Sequence, residues 1–168
     1  MSTQEDLQAA FAGESMANRK YTAFARKADQ EGKPQVARIF RAAAYAETVH
    51  ALNHFKAMGM VKGTAENLQA GMDGEAYEFK DMYPGFLAAA EKAADNPAAV
   101  KSFTYALEAE KVHYDLYAKA KQAVEKGQDL PAKKIWVCEV CGHTHEGDEA
   151  PEKCPICGVG RKMYTEVA

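Results

Sequence analysis

Two stretches of the chain set a glutamate three residues ahead of a histidine, "ETVH" at 47–50 and the end of "EAEKVH" at 108–113. Residues three apart share a helix face, so Glu47 with His50 and Glu110 with His113 can each grip one metal centre. One such pair is a common accident of helical sequence. Here each pair follows another glutamate at a similar distance, Glu14 lying 33 residues before Glu47 and Glu75 lying 35 before Glu110. The chain thus repeats one unit twice: a helix bearing Glu, then a helix bearing Glu-x-x-His. Small and apolar neighbours (Phe11 and Ala17 near Glu14, Ala43 and Ala44 near Glu47, Ala106 and Ala109 near Glu110) point the acids into an interior. Carboxylates confined there repel one another and lose hydration unless cations neutralise them. Two divalent irons bridged by glutamates do so, with carboxylate and imidazole as suitable ligands.

A second chemistry sits at the other end. All four cysteines fall in "CEVCGHTHEGDEAPEKCPIC", as Cys138-x2-Cys141, twelve residues, then Cys154-x2-Cys157. Two such knuckles make a tetrahedral four-sulfur site, and the spacing alone leaves zinc and iron equally open. Four sulfurs complete the shell, so His143 and His145 between the knuckles are expected at the surface. The start of the chain does not suggest secretion, so the cytoplasm is the expected location, and in that reducing compartment clustered cysteines read as metal ligands, not disulfides.

These residues need elements to carry them. Ser2-x-x-Glu5 can cap a first helix that runs to the "EGKP" break at 31–34. Pro34 suits the first turn of a second, ending at Gly59. Thr64 with Asn67 opens a third, reading on to about Lys92, with Pro84 expected to kink it or force a bulge. Asn96-Pro97 starts a fourth, ending near Gly127. Four long helices with short breaks describe a bundle. After the linker "GQDLPAKK" at 127–134 come short β-type runs, "IWV" and "MYTEV", around the cysteines. The expected division is therefore 1–130 for a mainly α domain and 131–168 for a small β-type metal domain, too small to hold together without its metal.

The composition, 47% hydrophobic and 27% charged, is enough to bury a core, and a formal charge of -3 provides no attraction for nucleic acid or an anionic membrane. No apolar run approaches the roughly 18 residues of a spanning helix, and the acidic start "MSTQEDLQAAF" argues against a secretory signal.

The segments "FAGESMANRKY", "AYAETVHALNHF", "GEAYEFKDMYPGF" and "ALEAEKVHYDLY" resemble the four helix signatures of rubrerythrins, which are ferritin-like diiron carboxylate proteins. The cysteine segment, "WVCxxCG" followed by "APxxCPxCG", resembles their rubredoxin-like domain, which favours iron over zinc. The resemblance implies that Glu14, Glu47, His50, Glu75, Glu110 and His113 hold two irons, with Glu47 and Glu110 bridging. Glu78 matches a seventh ligand, exchanged in the family for the histidine matching His50 as the redox state changes. Tyr21 and Tyr83 match tyrosines that hydrogen-bond around the cluster. The resemblance further implies a peroxidase that reduces hydrogen peroxide to water in oxidative-stress defence. Its four-cysteine iron would relay electrons from a rubredoxin or an NADH:rubredoxin reductase. Ferroxidation with oxygen is the competing enzymatic reading, which leaves the cysteine site without a purpose. A non-enzymatic helical scaffold with a zinc ribbon leaves the repeated carboxylates without one.

Chain length bears on assembly. In ferritin-like bundles the second and third helices run parallel, so their connection must travel back along the bundle. Helix two would end about 14 Å beyond the metals and helix three would begin about 16 Å on their other side. The five steps from Gly59 to Thr64 reach at most about 18 Å. A domain-swapped homodimer meets this limit, with helices one and two of one chain paired with three and four of another. A third helix starting only near Gly74 would remove the need for it.

Overall fold

Ser2 opens the first helix as a capping box, its hydroxyl accepting from the Glu5 amide while the Glu5 carboxylate returns to the Ser2 amide. This computed structural model describes residues 2–167 in two compact units, 2–62 and 63–167.

The first unit is a helical hairpin of α1 (Thr3–Gln30) and α2 (Pro34–Ala57). Alanine lets the two helices approach closely: Ala25, Ala28, Ala37, Ala44 and Ala51 are buried along the seam. Phe11 stacks on Phe55 with ring centroids 4.9 Å apart, packing α1 against α2. Asn18, also buried, donates from its amide to the Ala44 carbonyl at 2.6 Å and the Thr48 hydroxyl at 2.7 Å. Both contacts lie within one turn of Glu47, so they fix the rotation of α2 beside its ligand pair. The end of α2 is sealed by Gly59 at φ 69°, whose amide donates to Lys56, while the Met60 amide donates to Phe55 at 3.3 Å.

The second unit begins with α3 (Thr64–Tyr77), which passes through a π-helical turn (Glu78–Met82) into α4 (Tyr83–Ala93). The bulge expected at Pro84 is this turn. Proline lacks an amide hydrogen and its ring crowds the carbonyl four residues back, and the wider turn relieves both. The Tyr83 amide accordingly donates to Glu78, five residues earlier. The third helix is thus two helices, and it starts at Thr64, not near Gly74. α5 (Pro97–Glu125) follows, capped by the Asn96 side chain accepting from Ala99 at 3.1 Å. It packs on α3, where a Cβ on Gly71 would come within 3.0 Å of the Tyr117 ring.

The rest of this unit is a three-stranded antiparallel sheet in the order β2-β1-β3, from β1 (Ile135–Cys138), β2 (Thr144–Glu146) and β3 (Tyr164–Val167). β2 is additional to the two β-type runs anticipated. Its core is Cys138, Cys141, Ala150, Cys154 and Tyr164, with Tyr105 of α5 packed against it. The two knuckles share one geometry. Gly142 (φ 80°) donates to the Cys138 carbonyl and Gly158 (φ 76°) to that of Cys154, each at 2.9 Å, and these left-handed positions are why glycine follows each second cysteine. No helix among the described residues is long and apolar enough to cross a membrane.

Candidate metal centres

In the first unit Glu47 and His50, one turn apart on α2, converge with Glu14 of α1. His50 Nδ1 lies 2.9 Å from Glu47 Oε2 and 3.8 Å from Glu14 Oε1. In the second unit His113 Nδ1 lies 2.6 Å from Glu110 Oε2 and 4.0 Å from Glu75 Oε1. Within each trio one ligand atom per residue falls within 4.8 Å of the others. Both trios present Nδ1 to the carboxylates, and each contains the Glu and the Glu-x-x-His pair of one sequence repeat.

The crowding has an electrostatic signature. Burial, with the nearby charge of Glu110, pushes the Glu75 carboxyl up to about 7. Burial and Glu110 likewise raise Glu78, which opens the π turn. The carboxylate of Glu110 hydrogen-bonds His113 and raises its imidazole despite burial. Acids held this close without counter-charge favour protonation, and a cation among them would reverse that. The donor set therefore fits iron.

Tyr83 sits in the same field. Burial raises its phenol first, then Glu78, Glu110 and Glu75. It packs between Phe86 and Phe103. Tyr21 lies among Phe24 and Phe40 of its own hairpin. Tyr117 was not singled out from the sequence, yet burial and then Glu75 and Glu110 raise it as they do Tyr83.

The four cysteines are unbridged. Cys138 and Cys157 sulfurs stand 3.6 Å apart and those of Cys141 and Cys154 3.4 Å. A disulfide needs about 2.05 Å, whereas tetrahedral bonds of about 2.3 Å put sulfurs roughly 3.7 Å apart. The observed spacing is that of a metal cage. Burial resists ionisation of Cys154, yet the Cys157 amide, the Tyr164 hydroxyl and the Ile156 amide together bring it down to about 6.

His113 also joins the carboxylate trio to the cysteine knuckle. Its Nε2 lies 3.0 Å from Thr144 Oγ1 and 3.3 Å from the carbonyl of Gly142, the residue after Cys141. Nδ1 donates to the Glu110 carboxylate and Nε2 faces these two oxygens as a second donor, the edge-to-edge arrangement that would orient a ligating histidine. A groove of about 220 Å³ beside this contact is lined by Tyr105, Ala109, Glu110, His113, Cys141 and Gly142. Thr144 gave no signal in the sequence, because its role arises only where β2 meets α5.

His143 corrects an expectation. Placed at the surface from sequence, it is 7% exposed, because its Nδ1 lies 2.8 Å from the Tyr164 hydroxyl inside the cysteine core. His145 is half-buried, its ring 6.5 Å from that of His143.

The family model described as Rubrerythrin matches residues 5–121, and that described as Rubrerythrin, rubredoxin-like domain matches 136–165. Rubrerythrin-2 of Clostridium acetobutylicum is 37% identical over 96% of this chain and 95% of its own length. Nigerythrin of Nitratidesulfovibrio vulgaris is 41% identical, covering 98% of this chain and 86% of its own. The solved structure of nigerythrin in its fully reduced, all-ferrous state aligns with a TM-score of 0.58 at 36% identity, over 99% of this chain and 87% of that one. The fold is thus ferritin-like followed by a rubredoxin-like domain, and the chain carries the residues of both a diiron carboxylate site and a four-cysteine iron site. It belongs to the rubrerythrin family, a family of oxidoreductases.

Proposed function

We propose that this protein is a peroxidase that reduces hydrogen peroxide to two waters, consuming two electrons and two protons per turnover. The observation that carries this reading is the double engagement of His113, carboxylates on one edge of the imidazole and the cysteine knuckle on the other. A one-electron site joined by hydrogen bonds to a carboxylate site is suited to refilling it between turnovers, which iron storage does not require.

Glu14, Glu47, His50, Glu75, Glu78, Glu110 and His113 would hold two irons, and Cys138, Cys141, Cys154 and Cys157 a third. When bound, the iron pair supplies the two electrons and the Lewis acidity that weaken the O–O bond. The residues manage protons and access. Glu78, at the opening of the π turn and close enough to Glu75 and Glu110 to share their field, is the residue assigned to hand a proton to a leaving hydroxide. Tyr83 stands in the field of the same carboxylates and orders the oxidant through its hydroxyl, with Tyr21 in the corresponding role from the other hairpin. The groove between α5 and the first knuckle has room for a molecule the size of peroxide. Electrons enter at residues 131–168 from a rubredoxin or an NADH:rubredoxin reductase and pass to the domain formed by 1–130. The free cysteines suit a reducing cytoplasm, where such a protein would limit oxidative stress.

The working form is a domain-swapped homodimer. Ala57 lies seven residues past His50 and Thr64 eleven before Glu75, so a parallel arrangement asks the link to span about 27 Å. Seven steps reach about 25 Å only when fully extended, and the cap through Met60 keeps the first of them folded. Exposed Tyr45 and Leu52, seven residues apart and so on one side of α2, offer apolar surface for a second copy.

Stopped-flow mixing of the anaerobically reduced full chain with peroxide or with oxygen tests the activity. Reoxidation at least about tenfold faster with peroxide is expected. Equal rates, or faster reoxidation by oxygen, would overturn the peroxidase reading.

A further inference from the structure

The cysteine-bearing end of the second unit rests on one face of α5. Tyr105, Ala109 and His113 stand four residues apart and so line up over two turns. Tyr105 packs against the cysteine core, and His113 Nε2 meets Thr144 Oγ1 and the Gly142 carbonyl. Farther along the helix the Lys119 ammonium pairs with Glu146 of β2. Ala109 lies between the first two of these contacts and is 2% exposed. Its methyl carbon would stand 3.9 Å from a Cβ built on Gly142, so the backbone of the first knuckle passes directly over it. Gly142 follows Cys141, and its carbonyl is the oxygen that His113 meets at 3.3 Å.

Only the α5 side of this contact can vary. Gly142 sits at φ 80°, a left-handed conformation that the knuckle uses and that a side chain would strain. At position 109 a larger residue suits the helix but not the close approach. Valine adds two carbons at Cβ, and in a helix its side chain keeps one preferred rotamer. The groove beside the contact can take one branch, and the other then presses on the knuckle. Lifting the knuckle by about 1 Å carries the His113 nitrogen, now 3.0 and 3.3 Å from its two oxygens, out of hydrogen-bond range of both.

We propose that Ala109 is a positioning residue for electron transfer: its small side chain seats the first knuckle on α5 and so fixes the separation of the cysteine iron from the carboxylate irons. It acts through Gly142 and His113, which stay in hydrogen-bond contact only at this approach. The step is the passage of one electron, oxidising the cysteine iron from ferrous to ferric and reducing one iron of the pair from ferric to ferrous, with no bond made or broken. Such a step slows steeply with separation, so an approach set by one methyl group is one that a single added branch disturbs. This role presupposes the proposed refilling of the carboxylate site, and not the identity of the oxidant.

Flash reduction of the iron-loaded, fully oxidised full chain tests this. A photogenerated flavin radical reduces the cysteine iron, and recovery of its ferric absorption reports the electron passing to the carboxylate irons. Ala109→Val should slow that recovery about tenfold or more, with iron content and the midpoint potential of the cysteine iron unchanged. Ala109→Gly should keep the native rate, although glycine is the poorer helix former of the two. A role confined to helix stability reverses that order, because it penalises glycine more. A second readout needs no turnover. With the pair mixed-valent, relaxation of its EPR signal by the ferric cysteine iron weakens steeply with distance, and it should weaken in Ala109→Val but not in Ala109→Gly. Should Ala109→Val take up too little iron, Ala109→Ser adds a single atom, and its recovery should still be slower than that of Ala109→Gly. Native rate and relaxation in fully loaded Ala109→Val, Ala109→Gly slowed as much as Ala109→Val, or a shifted cysteine-iron midpoint that accounts for the slowing overturns the proposal. Where Ala109→Val cannot be loaded, Ala109→Ser as fast as Ala109→Gly overturns it. Peroxide enters none of these measurements, so their failure is distinct from failure of the peroxidase reading.

Discussion

The imidazole of His113 meets the hydroxyl of Thr144 at 3.0 Å, joining α5 to the strand that follows the first cysteine knuckle. A ligating histidine depends on the partner of its other nitrogen for orientation and basicity. The Thr144 hydroxyl is shared, since it also lies 3.3 Å from the Gly142 carbonyl. Thr144→Val preserves β-branching and shape but removes the oxygen. Electron transfer from the cysteine iron to the carboxylate irons should slow about tenfold with iron content unchanged. Rapid-mixing reduction, monitored at both chromophores, measures it. An unaltered rate would assign the coupling to the Gly142 carbonyl alone.

The carboxylate trio predicts an unusual pH profile for the metal-free protein. Glu75 titrates near 7 when folded, against 4.5 for an ordinary glutamate. Between those values the native state binds more protons than the unfolded one, so stability falls as pH rises. His113, also raised, acts in the same direction, its contribution present below its unfolded value of 6.5 and lost above its folded one. Urea midpoints of the metal-free chain should therefore decline from pH 5 to 8, with a flatter decline in Glu75→Gln. Iron uptake displaces these protons, so affinity should climb over the same window. A midpoint that rises with pH would contradict the crowding described for Glu75.

The two carboxylate–histidine clusters were legible because helix spacing is local arithmetic: Glu47 and His50 had to share a face, as did Glu110 and His113. Helix limits were equally legible, since Ser2, Pro34, Thr64 and Asn96 are local signals. What stayed hidden depends on contacts distant in sequence. His143 looks like an exposed loop residue until β3 brings Tyr164 to it, 21 residues later. Thr144 likewise matters only because it meets His113, 31 residues earlier. The π turn was half visible: Pro84 demanded a disruption, but its placement at Glu78 follows from hydrogen bonds.

That turn makes Pro84 a test of how Glu78 is aimed. Replacing it by alanine restores an amide hydrogen and allows regular α-helix through 78–82. Intrinsic propensity then favours the variant by up to about 3 kcal/mol. Straightening the turn rotates Glu78 away from Glu75 and Glu110, so peroxide-driven reoxidation should slow by about tenfold or more despite the higher stability. Thermal melts together with single-turnover rates separate the two effects. A more stable variant with native rates would remove the π turn from the mechanism.

The connection from Met60 to Thr64 sets the sharpest test of assembly. Under the proposed swap, each diiron site should draw Glu14, Glu47 and His50 from one copy and Glu75, Glu78, Glu110 and His113 from another. One chain with Glu47→Ala and His50→Ala, co-expressed under a second tag with one carrying Glu110→Ala and His113→Ala, isolates the mixed dimer. If the sites are swapped, one of the two sites regains all its ligands, and the dimer should hold about half the native bundle iron and show about half the peroxide activity. Neither homodimer should hold an intact site. If each chain instead builds its own site, both sites in the mixed dimer remain broken, and iron stays only at the cysteines.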